Sequence, residues 1–368
     1  AESIARARAP DTAVPMNDAI KRYMGIGNAT GLGMAPYLIN HPQLVSRWIE
    51  IRETALARVA KYGQATADRC KALGDMLAKA ARDITLHGRS SDHDMVLSGN
   101  RVHYGTAGAA VNMVDPEGRN YRHSTLQDLH DAARITDQLD NIHFLQRPMV
   151  ARDLPDNLEL DLNTLYACCT GTTKHVGTSI TEPANAQACL ELSYAMAGGE
   201  DAFRARPFIS NSNCFVVPPL KFATESCEVM EICIRGGMPV LLLSAGMAGA
   251  TAPATLAGTI VQAVAECLAG IVYVNAIQPG HPAIFGTWPF VVDLRTGAMS
   301  IGSGEQALLT AGCAQMHQFY GLPGGAAAGA SDSKLPDMQA GWEQMCSNVM
   351  AGLSGLNMVY EAAGMHAS

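Results

Sequence analysis

Several features are scarce in this 368-residue chain, and each scarcity removes a class of function. Charged residues amount to 16%, with a net charge of −8 and no Lys/Arg run or basic stripe interleaved with aromatics. A phosphate backbone finds nothing to bind, so nucleic acid is not expected as a partner. No stretch of about 18 uncharged apolar residues escapes a Gly, Pro or polar break, and the opening AESIARARAPDTAVPMND has no apolar h-region. The expectation is a cytoplasmic protein with no membrane segment. Ten cysteines are present, mostly inside apolar segments, but none is spaced as C-x-x-C or in a Cys/His zinc pattern. They read as reduced core residues. The eleven histidines form no H-x-E-x-x-H or H-x-x-x-H pair and the carboxylates no EF-hand, so a protein-bound metal is not expected. The absence of G-x-x-x-x-G-K-[ST] and of G-x-S-x-G argues against nucleotide hydrolysis and α/β-hydrolase chemistry.

What is present is a large apolar complement, 48% of the chain, enough for one extensive core. A helix over 124–140 opens on a Ser-x-x-Gln capping box and sets Leu126, Leu129, Ala133 and Ile135 near one face; NIHFLQ follows as a strand. From about residue 140 onward, β-rich runs alternate with helical segments of roughly 15 residues. A helix over 158–168 leads to the strand KHVGTSI. Four later helices end in Gly and meet a strand at once: AMAGG before RPFIS, IRGG before MPVLLLS, CLAG before IVYVNAI, and QFYG before LPGGAAAG. MAGLSG before LNMVYEAAG extends the pattern.

Strand and helix alternating without hairpin signals implies parallel strands with right-handed crossovers. An open doubly wound sheet and a closed barrel both fit. No G-x-G-x-x-G follows the first strand, and polar residues follow many strands rather than one switch point, which favours a (β/α)8 TIM barrel. Residues 1–80 differ in character and read as a mostly helical N-terminal extension; residues 81–368 read as the barrel.

In such a barrel the chemistry sits at the C-terminal ends of the strands. Those ends nominate Lys174 and His175, Asn211 and Asn213, Ser244 and Met247, Gln278, Ser331 and Asp332, and Tyr360 and Glu361. Lys174 lies in a small-residue strand, where a cationic side chain serves as an anion ligand, a Schiff-base nucleophile or a plain strand-end charge. Asn211 and Asn213 offer amides for ligand or turn. Gln278 either faces the cavity or caps a Pro-Gly turn. Glu266, in the apolar helix QAVAECLAG, is costly to bury without a partner but ordinary on a solvent face. Ser331 and Asp332 precede a helix begun by Pro336, and Tyr360 offers a phenol or an aromatic face. Phe285, Trp288 and Phe290 cluster in AIFGTWPFVVD. Aromatic faces at a barrel mouth attract a quaternary ammonium by about 0.5–2 kcal/mol each, and the same cluster is equally able to plug a loop onto a core.

Four segments, in order, carry a resemblance: ITLHGR; GNRVHYGTAGAAVNMVDPEGRNYRHSTLQDLHDAARITDQLDNIHF; GATAPATLAGTIVQAVAECLAGIVYVNAIQPGHPAIFG; and FYGLPGGAAAGASDSKLPDMQAGWEQ. Together, over about residues 80–365, they resemble the trimethylamine methyltransferase family. The resemblance implies a barrel that moves a methyl group from a methylamine to the cobalt of a corrinoid on a separate protein, with no cofactor bound to the chain itself. Family enzymes for trimethylamine carry pyrrolysine near the strand that here reads AAAGASDSK, where only standard residues stand. A quaternary ammonium needs no such adduct, because its nitrogen already carries the charge that makes a neutral tertiary amine the leaving group. Glycine betaine or a related betaine is therefore the expected substrate. Lys174, His175, Asn211, Asn213, Gln278 and Ser331 are expected to bind substrate with Phe285 and Trp288, while Glu266, Asp332 and Tyr360 act at the reacting centre. A homo-oligomer is expected. A Schiff-base lyase using Lys174 and a non-catalytic betaine-binding subunit are the alternatives. The family continues beyond EAAGMHAS, where this chain stops.

Overall fold

Glycines punctuate the second half of the chain, and two of them stop helices with left-handed backbone, Gly198 at φ 87 and Gly321 at φ 61. A computed structural model describes residues 64–114 and 120–362. Most of the expected extension over 1–80 lies outside the described residues; within them Gln64–Ala78 is helical. The barrel lies in the unit Asp75–Ser368.

Its strands, numbered along the chain, are β1 (His103–Tyr104), β2 (Phe144–Gln146), β3 (His175–Thr178), β4 (Ile209–Asn213), β5 (Val240–Ser244), β6 (Ala283–Thr287), β7 (Gly324–Ala327) and β8 (Met358–Tyr360). They neighbour one another in the order β1-β8-β7-β6-β5-β4-β3-β2, all in parallel. A further parallel bridge, Gly105 to Phe144, returns β1 to β2 and closes the (β/α)8 barrel. The crossover helices are α1 (Leu126–Asp137), α2 (Asn157–Gly171), α3 (Pro183–Ala197), α4 (Thr224–Arg235), α5 (Leu256–Ile277), α6 (Gly304–Tyr320) and α7 (Met338–Leu353).

Two expectations about elements are corrected. The run IVYVNAI is the second half of the 22-residue α5, and the sixth strand is AIFGT. An apolar run of this length carries no periodicity that tells strand from buried helix. Gly270 does not end a helix there; a Cβ on it would lie 2.7 Å from the Phe215 ring, so its role is close packing. Helix α1 starts one residue later than expected, with a capping box between Thr125 and Asp128, and its buried face is Leu129, Ala133 and Thr136 while Ile135 is exposed. Helix α5 is also long and apolar enough to cross a membrane, unlike the sequence-based expectation; in the barrel it packs against β5 and β6 and buries Glu266 and Asn275.

Strand alternation divides the core into two layers. Leu145, Val176, Ile209, Val240, Leu242 and Phe285 face the helices. Phe144, Leu241, Leu243, Ile284, Ala327, Met358 and Tyr360 fill the interior together with Ile84, Leu86, Met95 and Leu97. The last four belong to an antiparallel hairpin, Ile84–Leu86 with Met95–Leu97, that plugs the N-terminal end. His175, the first residue of β3, meets the carbonyl of His87 beyond that hairpin strand at 2.8 Å. The opposite end, where the strands terminate, is the mouth.

Candidate functional site at the barrel mouth

Two aromatic residues meet where β6 and β8 end. Trp288 follows β6 and Tyr360 closes β8, and their ring centroids are 5.4 Å apart. Phe144 stands edge-on to Tyr360 at 5.0 Å. Between β6 and β8 runs β7, whose interior positions are Gly and Ala, so nothing bulky separates the two aromatic residues. Trp288 Nε1 is buried with no hydrogen-bond partner. Burial raises the Tyr360 phenol above its ordinary range, so the ring acts as a neutral aromatic wall.

Glu361 follows Tyr360. It is buried, its φ is 63, and its Oε2 has no hydrogen-bond partner. Left-handed backbone at a residue that is not Gly is sparsely populated and tends to mark functional sites. Glu361 stands directly past the last residue of β8, at the mouth end of that strand. Burial alone pushes the carboxyl pKa up to about 8.

Two further groups line the end of β2. Gln146 is the last residue of that strand, with its side chain against the space that Gly177 leaves open: a Cβ at Gly177 would collide with Gln146 Oε1. Arg147 comes next, and its Nε is buried without a hydrogen-bond partner. Burial lowers the Arg147 pKa, opposed by the nearby Cys168, Asp161 and Cys214. Cys214, just past β4, is reached by solvent, and the protein around it raises its thiol pKa through loss of hydration.

The other sequence-nominated residues have different roles. Lys174 precedes β3, at the plugged end; its Nζ donates to the carbonyls of Thr136, Leu139 and Ile142, all at 2.7 Å. With its three hydrogens so used, the ammonium closes the C-terminal end of α1, neither binds an anion nor acts as a nucleophile, and the Schiff-base alternative falls. His175 points into the barrel but at that same end, where Nε2 meets Ser210 Oγ at 2.9 Å and burial lowers its pKa to about 4. Asn211 and Asn213 face outward to α4, donating to Cys233 Sγ at 3.1 Å and to the Ser226 carbonyl at 2.9 Å. Gln278 is the exposed residue that ends α5, on the N-terminal side of β6. Phe285 lies within β6 and packs outward, its ring centroid 6.5 Å from that of Tyr320.

Glu266 lies behind the mouth rather than in it. Its Oε2 accepts from Ser244 Oγ at 2.5 Å, and its Oε1 accepts from Leu220 N at 2.8 Å and Gln262 Nε2 at 3.1 Å. The carboxylate thus ties the end of β5 to the loop after β4. Ser331 and Asp332 do follow β7 on the mouth side, but their polar atoms are engaged: Ser331 Oγ donates to Glu343 Oε2 at 2.7 Å, and Asp332 accepts from Ser300 Oγ at 2.6 Å and Ile301 N at 2.7 Å. Of the nominated residues, Trp288 and Tyr360 are brought together. Phe144, Gln146, Arg147 and a role for Glu361 were not assigned from sequence, although the strand NIHFLQ placed Phe144 and Gln146 on one face and left Arg147 at its end.

Known proteins give the arrangement its context. A family model for trimethylamine methyltransferase matches residues 47–368. The chain is 34% identical over 291 residues to a trimethylamine methyltransferase of Desulfitobacterium hafniense, covering 79% of this chain and 58% of that protein. It is 33% identical over 291 residues to a glycine betaine methyltransferase from another strain of that species, covering 78% and 60%. A trimethylamine methyltransferase of Methanosarcina thermophila is 33% identical over 293 residues, with the same shares covered. The chain therefore spans less than two thirds of the length of these relatives. Among solved structures, a dihydropteroate synthase from Coxiella burnetii aligns with 76% of this chain and 94% of its own at a TM-score of 0.48 and 12% identity. The chain belongs to the trimethylamine methyltransferase family.

Proposed function

We propose that this protein takes a methyl group from a quaternary amine, glycine betaine first among them, and passes it to the cobalt of a corrinoid carried by a separate protein. The observation that carries the reading is the mouth itself, where Trp288 and Tyr360 stand 5.4 Å apart beside a buried, unpartnered Glu361 carboxyl. Aromatic faces and a carboxyl suit a cation that cannot donate hydrogen bonds, which describes a quaternary ammonium. The absence of pyrrolysine from AAAGASDSK fits the same substrate class, and a relative bears the name glycine betaine methyltransferase.

Arg147 replaces Lys174 in this reading as the group for the betaine carboxylate, since a planar guanidinium accommodates a carboxylate through two N–H donors. The reduced corrinoid supplies the nucleophile. The protein's own part is to hold one methyl group outward in line with the attack while the aromatic wall excludes water. The C–N electron pair returns to nitrogen and leaves a neutral tertiary amine. No resident corrinoid is needed, and a cytoplasmic homo-oligomer meeting its partner at the mouth goes with the proposal.

Incubation with glycine betaine and cob(I)alamin tests it. Methylcobalamin and dimethylglycine in equal amounts are the expected products. Binding of betaine with no methyl transfer, to free cobalamin or to a corrinoid protein, would instead leave a non-catalytic betaine-binding subunit.

A further inference from the structure

Three carboxylates are buried among the described residues, and one is unlike the others. Asp161 accepts from Thr181 N and Oγ1 and from Asn185 Nδ2. Glu266 accepts from Ser244, Leu220 and Gln262. Among the described residues nothing donates to the Glu361 carboxyl, whose Oε2 is buried, and the residue's backbone is left-handed. An acid buried without donors stays protonated, because the charged form has lost water and gained nothing in return.

Among the described residues, the surroundings of Glu361 supply no opposing charge. Gly105, past β1, accepts from Ala362 N at 2.9 Å. A Cβ on Gly329, past β7, would lie 2.6 Å from the Glu361 carbonyl oxygen. Asn348 of α7 donates to the Ala362 carbonyl at 3.2 Å. None of these three titrates, and the neighbouring Tyr360 phenol is kept neutral by burial. Burial is the sole cause of the shift that takes the carboxyl to about 8.

We infer that Glu361 is a carboxylic acid in the empty site and a carboxylate in the filled one, so that each quaternary ammonium bound sends one proton to solvent. The inference rests on the quaternary-amine reading and deepens it. On entry of the cation the acid's O–H bond breaks, its electron pair stays on oxygen, and buffer takes the proton. A fixed positive charge stabilises the carboxylate inside a water-poor mouth, where opposite charges attract strongly. A neutral tertiary amine offers no such charge. When methyl transfer returns the C–N pair to nitrogen, the site's cation vanishes and one proton comes back from solvent. Product then faces a neutral acid that no longer holds it, and the site discriminates permanent cations from their demethylated products.

Calorimetry of the full chain with tetramethylammonium and with glycine betaine, at pH 7 in phosphate and in Tris, reads the proton directly. A group titrating at about 8 is roughly nine-tenths protonated at pH 7, so the apparent enthalpies in the two buffers should differ by about 0.9 of the difference in buffer ionisation enthalpy. In Glu361→Gln the buffer difference should vanish and binding should weaken about tenfold or more. Binding to the wild-type chain with identical enthalpies in both buffers overturns the inference, as does undiminished proton release by Glu361→Gln. Should that variant not fold, the wild-type proton count decides alone. No binding of either cation overturns the quaternary-amine reading and the inference with it.

Discussion

The Lys174 ammonium lies 2.7 Å from the carbonyl oxygen of Ile142, on the far side of the barrel from Trp288 and Tyr360. With the Thr136 and Leu139 carbonyls it forms a cap on the chain leaving α1. Hydrogen bonds from a charged donor contribute about 1.5–3 kcal/mol each at most, and several that share one nitrogen contribute less than their sum. Lys174→Ala should therefore cost about 2–4 kcal/mol of stability. Thermal or denaturant unfolding checks the loss, and the ratio of betaine to choline affinity should stay at the wild-type value. A selective loss of carboxylate-bearing ligands would return Lys174 to the site.

Gly177 and Gln146 give a second expectation. A methyl group at Gly177 overlaps Gln146 Oε1, the far end of a side chain that can swing aside. Gly177→Ala should leave stability within about 1 kcal/mol of wild type and weaken ligand binding several-fold, because the displaced amide enters the mouth. Denaturant melts and calorimetry on the same preparation separate the two effects.

Gly286 is the contrasting case. A Cβ there meets the backbone carbonyl of Leu242 on the neighbouring strand, which cannot rotate away. Gly286→Ala should destabilise the barrel by about 3 kcal/mol or more through forced separation of β5 and β6. A melting temperature close to wild type would contradict the packing described for these strands.

The Glu361 carboxyl should also register in stability without any ligand. Its pKa rises from 4.5 to about 8 on folding. Between these values the folded chain keeps a proton that the unfolded chain has lost, so this group's contribution is fully present below about pH 4.5 and is lost as pH rises to about 8. Unfolding at pH 5 and pH 8 should show a loss for wild type that Glu361→Gln does not share. Parallel curves for the two proteins would remove the raised pKa.

Much of the barrel could be read from sequence because its punctuation is local: Gly198 and Gly321 each end a helix by their own backbone freedom. The span of α5 could not, since an uninterrupted apolar run satisfies helix and strand alike, and misplacing it carried Gln278 to the wrong end of the barrel. Facing was harder still. Asn211 and Asn213 share a parity that points them to α4, and Lys174 stands one residue before β3 rather than after it. Trp288 and Tyr360 were legible because a large aromatic residue beside a strand end has few places to go. The isolation of Glu361 depends on φ 63 and on which donors are absent, and neither is written in the order of residues.

The most direct test of the account is the affinity of Trp288→Ala for tetramethylammonium and glycine betaine, measured by calorimetry beside the wild-type chain. An aromatic face on a desolvated cation is worth about 2 kcal/mol, so both affinities should fall at least tenfold while the protein remains folded. Unchanged affinities would place the cation somewhere other than the mouth between β6 and β8.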